Sequence, residues 1–106
     1  MYSIEQSEKL RSLFYSLWEI MHDNGGKNWI KGIKNILALL TPPTYGGVNN
    51  ASLAIKEARI AYSSMFGGYG GFSEYFIWRD DFNERIKVNE ALDKIKNNIN
   101  QLLNYQ

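Results

Sequence analysis

The glycine-rich stretch at residues 67–71 is the first feature that could carry chemistry. Four of its five residues are glycine, and backbone amides without side chains can cradle a phosphate, especially at the start of a helix. A Walker motif, however, requires a lysine and a hydroxyl residue after its last glycine, and a dinucleotide fingerprint requires a preceding strand. Here the last glycine is followed by Phe72, and a helical pattern precedes the stretch. We therefore interpret the stretch as a structural turn that packs Tyr69 and Phe72.

Titratable side chains offer two further candidates. His22 is the only histidine, and Glu19 and Asp23 beside it would form a metal site only with ligands from elsewhere in the chain. A lone histidine near the end of a helix more often interacts with the terminal carbonyl groups. Asp80 and Asp81 are adjacent, so on a helix they would diverge by about 100° and would not form an acid/base pair on one pocket wall. We predict no enzymatic activity, no cofactor and no metal site.

The stretch from Glu74 to Glu84 combines aromatic rings with charges of both signs. Trp78 beside Arg79 could stack on single-stranded nucleic acid, but the flanking carboxylates repel phosphates. The same composition suits a protein interface, because aromatic residues and arginine dominate binding hot spots and carboxylates can imitate nucleic-acid charge in a nuclease cleft. An ordinary half-buried turn is the alternative. The predicted partner-binding residues are Glu74, Tyr75, Trp78, Arg79, Asp80, Asp81 and Glu84.

Length and composition limit the class of protein. The 106 residues fit a single domain over 1–106, and the 44% apolar and 14% aromatic fractions disfavour disorder. The absence of cysteine excludes disulfides and thiolate metal sites and favours a cytoplasmic location. The longest apolar run, Ile36 to Leu40, is too short to span a bilayer. A net charge of +1 gives no general attraction to nucleic acid or to anionic membranes.

Apolar side chains spaced by three and four residues predict four main helices. Ser3 and Gln6 have the spacing of a capping box, Asn28 is the expected N-cap of the second helix, and Asn49 or Asn50 caps the third. The expected helices run from about Ile4 to Asp23, from Trp29 to Leu40, from Ala51 to Met65, and from a start between Asp80 and Asn89 toward the C-terminus.

These elements predict an all-α bundle, with the glycine-rich loop and a short aromatic segment before the last helix. The aromatic segment, Tyr75 to Trp78, could be one helical turn or a short strand, since four residues show no clear period. We expect a kink or break in the last helix near Lys87 to Asn89. The predicted core residues are Leu13, Leu17, Ile36, Leu40, Ile55, Ala58, Leu92, Ile95 and Ile99.

Two motifs in the last third of the chain resemble a known pattern. The segment from Met65 to Glu74, followed by Asn89-Glu90-Ala91-Leu92, resembles small bacterial helical proteins in which an aromatic residue and two glycines lead into a Gly-Ser-Phe-Asn-Asp-like turn. In that pattern a final helix with an early asparagine follows. This chain differs in having Gly71 where a serine is common, and Ser73-Glu74 in place of the Asn-Asp pair.

Several proteins with this pattern look like immunity proteins of contact-dependent growth inhibition and related polymorphic toxin systems. The resemblance implies a protein that binds the C-terminal catalytic domain of a cognate toxin and blocks it without turnover. A nuclease is one kind of toxin that such a protein would block. The alternative function is a small regulatory or assembly module that binds another protein or nucleic acid. We expect no binding to membranes and no small-molecule ligand.

Overall fold

A computed structural model describes residues 2–25, 27–66, 71–72 and 75–104 of the chain. In these ranges it has four α-helices and the 3₁₀ turn Tyr45–Gly47. Over the described ranges there is no strand, so the predicted all-α fold is confirmed. The helices are α1 (Ile4–His22), α2 (Lys27–Leu39), α3 (Ala51–Ser64) and α4 (Phe82–Asn104).

Two of the expected helix caps are present. The Ser3 N–H donates to Gln6 Oε1 at 2.7 Å and the Gln6 N–H donates to Ser3 Oγ at 3.1 Å, which forms the predicted capping box of α1. For α3, Asn50 rather than Asn49 is the cap, because its Oδ1 accepts the Leu53 N–H at 3.0 Å. Both caps satisfy amide groups that have no partner inside the helix.

Two expectations about helix boundaries are wrong. The turn after α1 is so short that α2 already begins at Lys27, which places Asn28 inside the helix rather than at its N-cap. The last helix begins at Phe82 and continues without a break through Lys87 to Asn89. The side chain of Asn89 explains the second difference, since it bonds to a neighbouring segment instead of interrupting its own helix.

The core lies around α1, which packs against all three other helices, while α2 also packs against α3. Seven of the nine predicted core residues are buried, and Leu13 and Ile95 are half-buried against the same core. The stripes of the four helices therefore meet in one apolar interior, as their spacing predicted. Additional buried residues on α1 and α4 that were outside the predicted list include Leu10, Phe14, Met21 and Leu103.

Phe72 is fully buried and closes the connection between α3 and α4. Its N–H donates to the Met65 carbonyl at 2.7 Å, so the two sides of the glycine-rich stretch are joined by a backbone hydrogen bond. The ring lies 5.5 Å from Trp29, 5.4 Å from Phe66 and 5.8 Å from Tyr75, measured between centroids. The burial of Phe72 agrees with the expected packing of the turn, whereas Tyr69, the other side chain in that expectation, lies outside the described residues.

Truncation of a core side chain on α4 tests the assignment of its buried face. Leu92 is 1% exposed, so Leu92→Ala should lower the free energy of unfolding by about 2–5 kcal/mol through lost burial and a residual cavity. Lys94→Ala, at an exposed position of the same helix, should change it by less than about 0.5 kcal/mol. Urea denaturation followed by circular dichroism measures both values, and equal stability of the two variants would contradict the assignment.

Candidate protein-binding site

The segment 75–79 runs between the core and the start of α4 and is neither helix nor strand. Its side chains alternate in exposure: Ile77 is buried, whereas Phe76 and Trp78 on either side of it are exposed. Tyr75 and Arg79, at the two ends, are half-buried. Ile77 therefore attaches the segment to the core, while the rings of Phe76 and Trp78 face solvent.

Asn89 fixes this segment to α4. The Ile77 N–H donates to Asn89 Oδ1 at 3.0 Å, and Asn89 Nδ2 donates back to the Ile77 carbonyl at 2.8 Å. The same amide nitrogen also donates to the Arg85 carbonyl of its own helix at 2.9 Å. The side-chain amide thus pairs with the Ile77 backbone much as a neighbouring strand would. This pairing sets the register that leaves Phe76 and Trp78 outside.

Asn24, in the turn after α1, holds both ends of the segment. The Tyr75 hydroxyl donates to the Asn24 carbonyl at 3.0 Å, and the Arg79 guanidinium donates to Asn24 Oδ1. Arg79 also donates to the Trp78 carbonyl at 3.0 Å. Burial raises the pKa of the Tyr75 hydroxyl, and the positive charge of Arg79 partly opposes that shift. Arg79 and Tyr75 therefore act mainly within the protein, as supports for the segment.

Four exposed apolar side chains gather where this segment meets α4. Phe76, Trp78, Phe82 and Ile86 are 57%, 61%, 63% and 41% exposed, and we call them the aromatic patch. They are half of the eight large apolar side chains that are exposed in the described part of the chain. Phe76, Phe82 and Ile86 line one groove, and the rings of Trp78 and Phe82 both lie against Arg85, so the four side chains form one area of exposed apolar surface.

Arg85 organises the rings of the aromatic patch. Its guanidinium carbon lies 3.9 Å from the ring centroid of Trp78 and 5.5 Å from that of Phe82, which are cation–π distances. Its Nε is buried and has no hydrogen-bond partner among the described residues. Beside it, a groove of about 360 Å³ lies between Phe76, Phe82 and Ile86, with Glu90 and Asp93 on its rim. The aromatic patch therefore combines exposed rings, a groove and the charged guanidinium of Arg85.

The carboxylates near the patch have local structural roles and exposed charges. Asp80 Oδ1 accepts the indole N–H of Trp78 at 3.1 Å, which orients that ring. Asp81 Oδ2 accepts the Glu84 N–H at 2.9 Å and so caps α4. Asp80, Asp81 and Glu84 are all exposed. Residues 76–93 carry a net charge of −2, whereas the rest of the chain carries +3. The environment of the aromatic patch is therefore acidic in a protein that is nearly neutral overall.

The structure brings most of the predicted partner-binding residues to this surface. Trp78, Asp80, Asp81 and Glu84 are exposed at or beside the patch, Tyr75 and Arg79 lie partly beneath it, and Glu74 lies outside the described residues. The sequence prediction missed four residues: Phe76, Phe82, Arg85 and Ile86. A signal for two of them was present, because Phe82 and Ile86 are four residues apart, on a helix face different from the buried stripe that contains Leu92.

Other candidates from the sequence do not form sites in the described part of the chain. His22 is exposed and stacks on Trp18 with 4.7 Å between ring centroids, and no group of three metal-ligating side chains is found in the described ranges. Among those residues, no helix is both long and apolar enough to cross a membrane.

Comparison with protein-family models, curated proteins and solved structures found no match to this chain. The function of this protein is therefore inferred from the aromatic patch.

Replacement of Asn89 tests how the exposed segment is held. Asn89→Ala leaves the Ile77 N–H and carbonyl without partners, so the Ile77 amide should exchange its hydrogen at least tenfold faster, and stability should fall by about 1–3 kcal/mol. Asn97→Ala, at an exposed asparagine of the same helix, serves as the control. Hydrogen exchange followed by NMR gives both results. Unchanged protection of the Ile77 amide in Asn89→Ala would show that core packing alone fixes the segment.

Proposed function

We propose that this protein is an immunity protein, which neutralises a bacterial toxin by binding its catalytic domain through the aromatic patch. The observation that carries the proposal is the concentration of Phe76, Trp78, Phe82 and Ile86 as exposed side chains on one surface. Contiguous apolar surface of this kind usually marks a site of interaction. The resemblance of the sequence from Met65 to Glu74 and of the motif that begins at Asn89 to immunity proteins supports the same class of function.

The composition of the aromatic patch favours a protein partner. Tryptophan and arginine are the residues most enriched at binding hot spots, and here the Arg85 guanidinium is stacked on Trp78. A stacked pair has already lost much of its side-chain freedom, so less entropy is lost on binding. The guanidinium of Arg85 has five N–H donors, so beyond its buried Nε it can donate to a carbonyl or carboxylate oxygen of the partner. Apolar rings that surround such a donor provide both affinity and orientation.

The charge around the aromatic patch favours a partner with a basic surface. Asp80, Asp81 and Glu84 lie beside the rings and are exposed, so their field extends into solvent. A toxin that acts on nucleic acid has a positively charged active-site cleft, and these carboxylates could occupy the place of phosphates there. Because the remainder of the chain carries net positive charge, attraction would also orient this surface toward the toxin.

Inhibition by this route requires only stoichiometric binding. A stable complex would bury about 800 Å² of this protein, enough to include the patch, the groove beside Ile86 and the adjoining carboxylates. The toxin would be inactive for as long as its cleft is covered, so dissociation rather than any chemical step would limit protection. This mechanism needs no cofactor and no catalytic side chain.

Truncation of the aromatic patch should abolish protection from the toxin. Trp78→Ala and Phe82→Ala should each weaken binding by about 2 kcal/mol, or roughly thirtyfold, mainly through faster dissociation. Ile60→Ala is the matched control, because Ile60 is an equally exposed apolar residue, 65% exposed, on α3 and outside the aromatic patch. The measurements are binding to the product of the adjacent toxin gene and survival of cells that produce it. Full protection by a folded double variant, or the absence of a toxin gene, would support the regulatory-module alternative.

Removal of two charges without loss of their hydrogen bonds tests the electrostatic contribution. In Asp80→Asn with Asp81→Asn, the amide oxygens still accept the Trp78 indole N–H and the Glu84 N–H, so the fold and the α4 cap remain. Association with the toxin should slow several-fold at low salt, and the difference from wild type should shrink as salt rises. Glu5→Gln with Glu8→Gln, two exposed carboxylates of α1, is the control. Equal association rates for all three proteins at low salt would contradict the proposed steering.

A further inference from the structure

A second site lies between α3 and the C-terminal part of α4, on residues that the aromatic patch does not include. It is a cavity of about 310 Å³, a volume equal to about ten water molecules and near the lower limit for ligand pockets. Its walls combine polar and apolar side chains from both helices. In the described part of the chain they are Arg59, Tyr62, Ser63, Phe66, Asn100 and Leu103.

Tyr62 is the residue that distinguishes this cavity from an ordinary groove. It is 2% exposed, and its hydroxyl, the only polar group of its side chain, has no hydrogen-bond partner among the described residues. Its ring is well packed, with centroids 5.2 Å from Phe14 and 4.9 Å from Phe66. Burial raises the pKa of the hydroxyl, which therefore stays protonated and able to donate. Buried hydroxyls are normally paired, so an unpaired one calls for a partner.

The remaining polar side chains define what that partner is. Arg59 contributes one positive charge, and Ser63 and Asn100 contribute neutral groups that can donate hydrogen bonds. No carboxylate lines the cavity in the described part of the chain. A single cation without a neighbouring acid suits a monoanion better than a phosphate dianion. Phe66, Leu103 and the Tyr62 ring supply apolar surface, so the anion should carry an apolar body.

We propose that this cavity binds a small monocarboxylic acid, with its carboxylate between the Arg59 guanidinium and the Tyr62 hydroxyl and its apolar part against Phe66 and Leu103. The hydroxyl oxygen has less than 1 Å² exposed, so binding requires a small rearrangement of the cavity wall around it. The site contrasts with the sequence-based expectation of no small-molecule ligand. It is independent of toxin binding, because none of its residues belongs to the aromatic patch.

Benzoate is the probe for this site, since it combines a carboxylate with an apolar ring of suitable size. Benzoate should raise the melting temperature of the protein in a saturable manner and shift the NMR signals of residues on both walls. Acetate, which has the charge alone, and benzyl alcohol, which has the ring without the charge, should each bind at least tenfold more weakly. Equal responses to acetate, benzoate and chloride at matched ionic strength would overturn the proposal.

Two variants and a control connect the binding to named side chains. Tyr62→Phe keeps every ring contact and removes the unpaired hydroxyl, so without ligand it should raise the melting temperature by roughly 4 °C. The same variant and Arg59→Gln should each bind benzoate at least tenfold more weakly. Lys56→Gln removes an exposed charge one turn away on the same helix, outside the cavity, and should bind benzoate normally. Unchanged benzoate affinity in Tyr62→Phe or in Arg59→Gln would overturn the assignment.

Discussion

The position of the exposed aromatic rings depends on one buried side chain, Phe72. The ring is packed against Trp29, Phe66 and Tyr75, and Lys96 of α4 lies over it with its Nζ 4.9 Å from the ring centroid. These contacts join α2, the end of α3 and α4 at a single side chain. The Tyr75 N–H also donates to the Phe72 carbonyl at 3.0 Å, so the segment 75–79, in which Phe76 and Trp78 are exposed, begins at this buried residue.

Hydrogen bonds from two asparagines hold the segment 75–79 in place. Asn24 accepts from both Tyr75 and Arg79, and Asn89 exchanges two hydrogen bonds with Ile77. Each satisfies backbone or side-chain groups that would otherwise be unpaired in a segment with no regular secondary structure. The exposed rings consequently project from a supported backbone, and less free energy is lost in ordering them when a partner binds.

The two proposed sites follow different physical rules and lie on different parts of the bundle. The aromatic patch exposes apolar surface with acidic charge around it, which suits a large basic partner. The cavity beside Tyr62 instead encloses an unpaired hydroxyl near one arginine, which suits a small anion. Both place an unsatisfied donor, Arg85 Nε or Tyr62 Oη, within apolar surroundings. Such donors lower the stability of the free protein, and the Tyr62 hydroxyl would gain an acceptor when the proposed anion binds.

The sequence by itself determined the four helices, the caps at Ser3 and Asn50 and most of the buried stripes, because these depend on residues within one or two turns of each other. Only the tertiary structure decided what Asn89 does: local rules predicted an interrupted helix, whereas its amide pairs with Ile77, twelve positions earlier. It also decided that Arg79 supports the segment while Arg85 joins the exposed rings. These outcomes depend on contacts between distant parts of the chain, such as the 55 positions between Asn24 and Arg79, and no local pattern specifies such a contact.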